Sequence, residues 1–151
     1  MIVVRCIAED NFSSEAIRFW TWDKYSHCEF VLPEGMLGSR LNGGIQIRPA
    51  NYIQTSLEVR LALSLSEIDE EKILSWAKAQ IGESYGWKDI VDEAFHDEIM
   101  KPSAMDCSHF VSKALAQGGV PVSRKPFFQN TPADIYNCVT FAVLALPYSP
   151  V

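Results

Sequence analysis

The hydrophobic period of this chain changes once, near Ser66, and no other feature restricts its possible folds as strongly. Before that point apolar residues alternate in short runs; after it they recur at helical spacing. Ile2 to Ile7 is apolar and β-branched, a first strand. Ser26 to Leu32 alternates and forms another, which Pro33-Glu34-Gly35 turns into a hairpin with Met36 to Arg40. Asn42-Gly43-Gly44 turns the chain again into Ile45 to Arg48, which stops at Pro49. Leu57 to Leu65 alternates once more. Only one helix interrupts this part, running from an N-cap at Ser13 to Trp20 or Trp22.

Beyond the change, Ser66-Glu67-Ile68-Asp69 resembles a capping box with Asp in the place of Glu or Gln. Ile73, Leu74, Ala77 and Ile81 then fall on one helical face, with a stop at Gly82. A shorter helix is expected over Trp87 to Phe95. Asp106 N-caps a helix from Cys107 to Gln117, which Gly118-Gly119 ends, and Thr131-Pro132 begins another. The run Val139 to Leu146 fits a helix or a buried strand, and periodicity does not separate the two. Strands first and helices later predict an α+β fold, with an antiparallel sheet and the Cys-bearing helix packed against it.

The chain has 151 residues, and 48% of them are hydrophobic, enough for a core in a single domain spanning 1–151. A net charge of −6, with Arg124-Lys125 the densest basic group, argues against a nucleic-acid partner. No run approaches the roughly 20 apolar residues of a membrane span. The N-terminal residues lack the apolar core of a secretory signal, so a cytoplasmic protein is expected. Four dispersed cysteines (Cys6, Cys28, Cys107 and Cys138) read as free thiols. His27-Cys28 with Cys107 and His109 would supply four zinc-ligand types, but neighbours on a strand diverge, as do residues two apart on a helix. Neither a metal nor another cofactor is expected, and the glycines from Gly35 to Gly44 mark turns rather than a phosphate loop.

One helix carries chemistry. Cys107, Phe110, Val111, Ala114 and Leu115 form an apolar stripe, with His109, Ser112, Lys113, Ala116 and Gln117 on the other side. Cys107 therefore lies in the first turn and points at the sheet. Unpaired backbone N–H groups and the helix dipole favour a thiolate there, and could also hold an oxyanion. A core cysteine would occupy the same stripe. His109, two residues on, faces away and reads as a surface histidine.

Ile81-Gly82-Glu83-Ser84-Tyr85-Gly86-Trp87, followed by Asp106-Cys107-Ser108-His109-Phe110-Val111, resembles the NlpC/P60 papain-like superfamily. The resemblance implies that Cys107 is a nucleophile and that Tyr85, Trp87 and Asp106 line the cleft. Position 109 departs, with His where Gly is common. The superfamily's usual histidine follows the cysteine, yet no histidine follows Cys107 here. His27 instead begins an early strand. That order is similar to the circularly permuted branch, the YiiX-like and lecithin:retinol acyltransferase-like proteins, over roughly Tyr25 to Leu115.

His27 is then the expected general base, and His96, in an acidic segment, is expected to be solvated. A third group should orient the ring. Glu29 shares a strand face with His27, although two residues along a strand is a long reach. Ser39 or Arg40 in the hairpin and Gln46 on the next strand are alternatives. The expected activity is hydrolysis of an amide, isopeptide or ester through a Cys107 acyl-enzyme, on a peptide-like or acyl substrate. The competing readings are a non-catalytic binding or structural module and a lipid-type acyltransferase. Cys6, Cys28 and Cys138 are expected to be core packing.

Overall fold

A computed structural model of the chain describes residues 1–9, 24–84 and 105–144. The helices expected at Ser13 and over Trp87 to Phe95 lie outside them. The described residues form an α+β structure of five antiparallel strands and three α-helices. The strands are β1 (Ile2–Glu9), β2 (His27–Leu32), β3 (Gly35–Arg40), β4 (Gly44–Arg48) and β5 (Thr55–Leu63), in the spatial order β4-β3-β2-β1-β5. The helices are α1 (Glu67–Ala79), α2 (Cys107–Gln117) and α3 (Pro132–Leu144), with a short 3-10 turn at Phe127–Gln129. The C-terminal apolar run is thus helical as far as Leu144. No helix among the described residues is long and apolar enough to cross a membrane.

Both hairpins fall at the expected turns. Phe30 pairs with Leu37 and Leu32 with Gly35, while Gly38 pairs with Gln46 and Ser39 with Ile45. β4 and β5 lie at opposite edges, so the segment 49–54 carries the chain across the sheet. β1 runs between β2 and β5, with Arg5 opposite Glu29 on one side and Arg60 on the other. Val4, Cys6, Cys28 and Phe30 belong to the core cluster. The alternate positions Arg5, His27 and Glu29 are also buried, so both sets of side chains in the central strands are shielded from water.

Helix α2 packs on β2 and β3, and α1 packs along α2. The Phe110 ring meets Phe30 edge-on at 6.0 Å and stacks on Trp76 at 6.2 Å. A Cβ at Gly118 would lie 2.5 Å from Ile73 Cδ1 and 2.9 Å from the Asp69 carbonyl oxygen, so the end of α2 abuts α1 closely. Helix α1 has the expected Ser66 cap: the Asp69 N–H donates to Ser66 Oγ at 3.2 Å, and the Ser66 hydroxyl donates to Asp69 Oδ2 at 2.7 Å. It ends at Ala79, before the expected stop at Gly82. Gly82 instead serves the next feature. Its N–H donates to the Ile45 carbonyl at 2.9 Å, and the Ile45 N–H donates to the Glu83 carbonyl at 2.9 Å, docking the chain after α1 on the edge of β4.

The apolar stripe of α2 is buried as expected, but the first two turns of its far side are buried too. His109 is only 3% exposed, and Ser108 and Ser112 are buried. His109 is therefore not a surface histidine. The 3-10 turn and α3 cover that side of α2, and the Ser112 hydroxyl lies 3.1 Å from the His109 carbonyl and 3.5 Å from that of Phe127. A two-sided amphipathic reading cannot anticipate a second layer. Cys138 is likewise half-buried on α3 rather than core, whereas Cys6 and Cys28 are fully buried.

Candidate active site

The site is built where α2 begins. Asp106 caps the helix, its Oδ1 accepting the His109 N–H at 2.7 Å and the Ser108 hydroxyl at 3.1 Å. That cap fixes the first turn and therefore the direction of the Cys107 side chain. Ser39 acts one step earlier: its hydroxyl donates to the Met105 carbonyl at 2.5 Å, pinning the approach to the helix onto β3. Cys107 is 6% exposed.

Three donors converge on the Cys107 sulfur. Cys28 meets it through its thiol and its backbone N–H, and the His27 ring hydrogen-bonds to it. The Cys28 thiol favours the charged sulfur most; burial opposes it; the His27 charge and hydrogen bond favour it again, and the Cys28 N–H adds the least. The balance holds the Cys107 thiol well below the usual range. Cys28 moves the other way, pushed well above its usual range by burial and by the Cys107 charge, so it stays a protonated donor. Packing explains the burial of Cys28 but leaves out this second role.

His27 has its Nε2 3.1 Å from Glu29 Oε2, which leaves Nδ1 for the sulfur. Burial alone would lower the His27 pKa, but the Cys107 charge, the hydrogen bond to it and the Glu29 carboxylate outweigh burial and raise it to about 10. Glu29 is fully buried, and burial disfavours its charge. The His27 ring, the Tyr52 hydroxyl and Arg5 reverse that, so its carboxyl lies below the usual range.

Glu29 is thus the group that meets the His27 ring, which corrects the expectation that two residues along a strand is too far. Its side chain folds back beside its own strand. Space for this exists because Gly38 is bare: a Cβ there would lie 2.8 Å from Glu29 Cβ and 3.5 Å from His27 Nε2. Two further donors hold the carboxylate. Arg5 Nη1 donates to Oε1 at 3.2 Å, and the Tyr52 hydroxyl donates to Oε2 at 2.9 Å. The other Arg5 nitrogen, Nη2, pairs with Glu58 Oε2 at 2.9 Å. From α2 across β2 and β1 to β5, the polar groups therefore run Cys107, His27, Glu29, Arg5, Glu58.

The other candidates for the third group serve elsewhere. Ser39 holds Met105, Gln46 is exposed and donates to the Gly43 carbonyl, and Arg40 donates to Glu9 and Tyr52. Tyr85, Trp87 and His96 lie outside the described residues. Among the described residues, no three His, Cys, Asp or Glu side chains are arranged to hold a metal ion.

Sequence reading missed Arg5, Gly38, Tyr52 and the thiol contact of Cys28. Arg5 did leave a signal, because a lone charge inside Ile-Val-Val-Arg-Cys-Ile-Ala needs a partner once buried. Tyr52 left none, since it belongs to a connection read only as the end of a strand. No family model matches the chain, and no curated protein matches it.

Proposed function

We propose that this protein is a thiol-dependent hydrolase of the peptidase or amidase type, with Cys107 as nucleophile, His27 as acid and base, and Glu29 as the group that orients the ring. One observation carries the reading: a buried, hydrogen-bonded Cys107–His27–Glu29 chain whose sulfur sits at a helix N-terminus. A core cysteine has no need of a charged partner backed by a buried carboxylate. The non-catalytic alternative drew its force from the lack of a clear third group, and the Glu29 contact with the ring supports the catalytic reading against it. The order of His27 before Cys107, and the Asp-Cys-Ser start of α2, are what a permuted NlpC/P60-like enzyme would have.

In this mechanism the Cys107 thiolate attacks the carbonyl carbon of an amide, isopeptide or ester. The charge that develops on the carbonyl oxygen falls at the N-terminus of α2, where main-chain N–H groups and the helix dipole favour it. The His27 imidazolium gives its proton to the leaving nitrogen or oxygen as the bond breaks, leaving a thioester on Cys107. Neutral His27 then takes a proton from water, which attacks the thioester. The acid is released, and the sulfur and the ring return to the ion pair.

The test has two parts. Iodoacetamide labelling of each cysteine is followed against pH by peptide mass spectrometry, in wild type and in His27→Ala. Cys107 should label fast well below the ordinary thiol value of about 8.5, and His27→Ala should move its midpoint upward. A p-nitrophenyl ester should then give a stoichiometric burst and an acyl adduct on the Cys107 peptide. If Cys107 labels no faster than the other cysteines, or no adduct forms, the hydrolase reading is wrong.

A further inference from the structure

Strand geometry puts His27 and Glu29 on the same face of β2, as it puts Glu58 and Arg60, which meet at 2.7 Å, on the same face of β5. Two residues along a strand are about 6.5 Å apart at a rise of about 3.3 Å each, a gap the two side chains close to 3.1 Å between Nε2 and Oε2. The carboxylate has another partner within reach in Arg5, so its neighbours decide whether it stays on the ring. Gly38 on β3 removes the obstacle, since a Cβ there would approach Glu29 Oε2 to 3.3 Å. Tyr52 supplies the hold. It sits in the segment that crosses the sheet from β4 to β5, and its hydroxyl reaches the same carboxylate oxygen that meets the ring, at 2.9 Å.

Tyr52 is itself held. The Arg40 guanidinium lies 5.0 Å from its ring centre and that of Arg48 5.9 Å. Arg40 also donates to the Tyr52 hydroxyl and to Glu9, while Arg48 is tied to the Gly38 and Gly44 carbonyls at 3.0 and 2.9 Å. Burial and the Glu29 charge push the Tyr52 hydroxyl up to about 12, so it stays a donor at any working pH. The charges paired with Glu29 are His27 on its own strand and Arg5 on β1, the latter shared with Glu58 on β5. Arg48 on β4 also feels the Glu29 charge directly, and Arg40 on β3 reaches it through Tyr52.

We propose that Tyr52 and Gly38 are positioning residues of the candidate active site: together they keep the Glu29 carboxylate folded back against His27, and so keep the ring aimed at Cys107. This rests on the hydrolase reading and adds to it the residues that set the reactivity of the thiol. Two effects of Tyr52→Phe oppose each other. Without the hydroxyl, Glu29 can swing toward Arg5 and leave His27, which weakens the ion pair. A carboxylate with one donor fewer is also a stronger acceptor, which would strengthen the ion pair if the geometry did not change. Positioning therefore predicts a definite sign.

The experiment measures the pH midpoint of Cys107 alkylation in the full chain. The proteins are wild type, Tyr52→Phe, Gly38→Ala, Glu29→Gln and the Tyr52→Phe/Glu29→Gln double variant. Tyr52→Phe keeps the ring between Arg40 and Arg48, and should raise the midpoint by about one unit, about tenfold less thiolate on the acid side. Gly38→Ala should move it the same way, and decides the matter if Tyr52→Phe does not fold. In the Glu29→Gln background Tyr52→Phe should add nothing, because its effect runs through Glu29. An unchanged or lowered midpoint in the single variants, with wild-type Cys107 still fast, overturns this inference and leaves the hydrolase reading standing. A full Tyr52→Phe shift in the Glu29→Gln background overturns it as well. A wild-type Cys107 no faster than the other cysteines overturns both.

Discussion

Two side chains act on the Cys107 sulfur, His27 and Cys28, of which a linear reading assigns the first to the site and the second to the core. The Cys28 thiol, placed as core packing, donates to the sulfur and is the largest influence on it. A hydrogen bond to a charged group contributes about 1.5–3 kcal/mol, so Cys28→Ala should raise the Cys107 alkylation midpoint by about one unit, read by the same pH-resolved labelling. The ion pair also leaves a signature in stability. Between about 6.5 and about 8.5, the ordinary values of His and Cys, the folded pair and the unfolded chain each bind one proton, and the contribution of the pair is flat. His27 is raised, so its share is lost as pH climbs from there through about 10. Cys107 and Glu29 are lowered, so theirs are lost as pH falls through their folded values. Urea midpoints against pH should fall on both sides of that plateau, and His27→Gln should remove the alkaline fall; an alkaline fall of equal size in the variant would contradict the assignment.

Elements were legible where local chemistry dictates them. The turns at Pro33-Glu34-Gly35 and Asn42-Gly43-Gly44 carry their own geometry, Gly43 and Gly44 both adopting positive φ. The bounds of α2 are those set by Asp106 and Gly118. Asp106→Ala removes a cap whose loss costs about 1 kcal/mol, and melting should drop by about 3 °C at this chain length. Ends without such markers moved. β1 extends to Glu9 and β5 starts at Thr55, because pairing of β1 with β5 continues to Glu9 opposite Thr55 past an irregularity at Ala8. The far side of α2 was misread for a related reason: periodicity finds the face that meets the sheet, but not the 3-10 turn and α3 that cover the other.

At the scale of the whole molecule, the core and the site share one joint. Phe110 stands between Phe30 on β2 and Trp76 on α1, only one helical turn from Cys107. Phe110→Ala should cost about 3–5 kcal/mol, a shift in urea midpoint with little change in slope. The order β4-β3-β2-β1-β5 places β1 between its partners, and so lets Arg5 bridge Glu29 and Glu58. It also forces the crossing that carries Tyr52 to Glu29. The α+β class, the antiparallel hairpins and the position of Cys107 in a first turn follow from residues within a few positions of each other, since alternation, turn residues and caps act over that range. The joining of His27 with Glu29, the part played by Tyr52 and Gly38, and the burial of His109 depend on contacts between elements far apart in the chain. Those contacts come from strand order and layer packing, which short-range patterns do not encode.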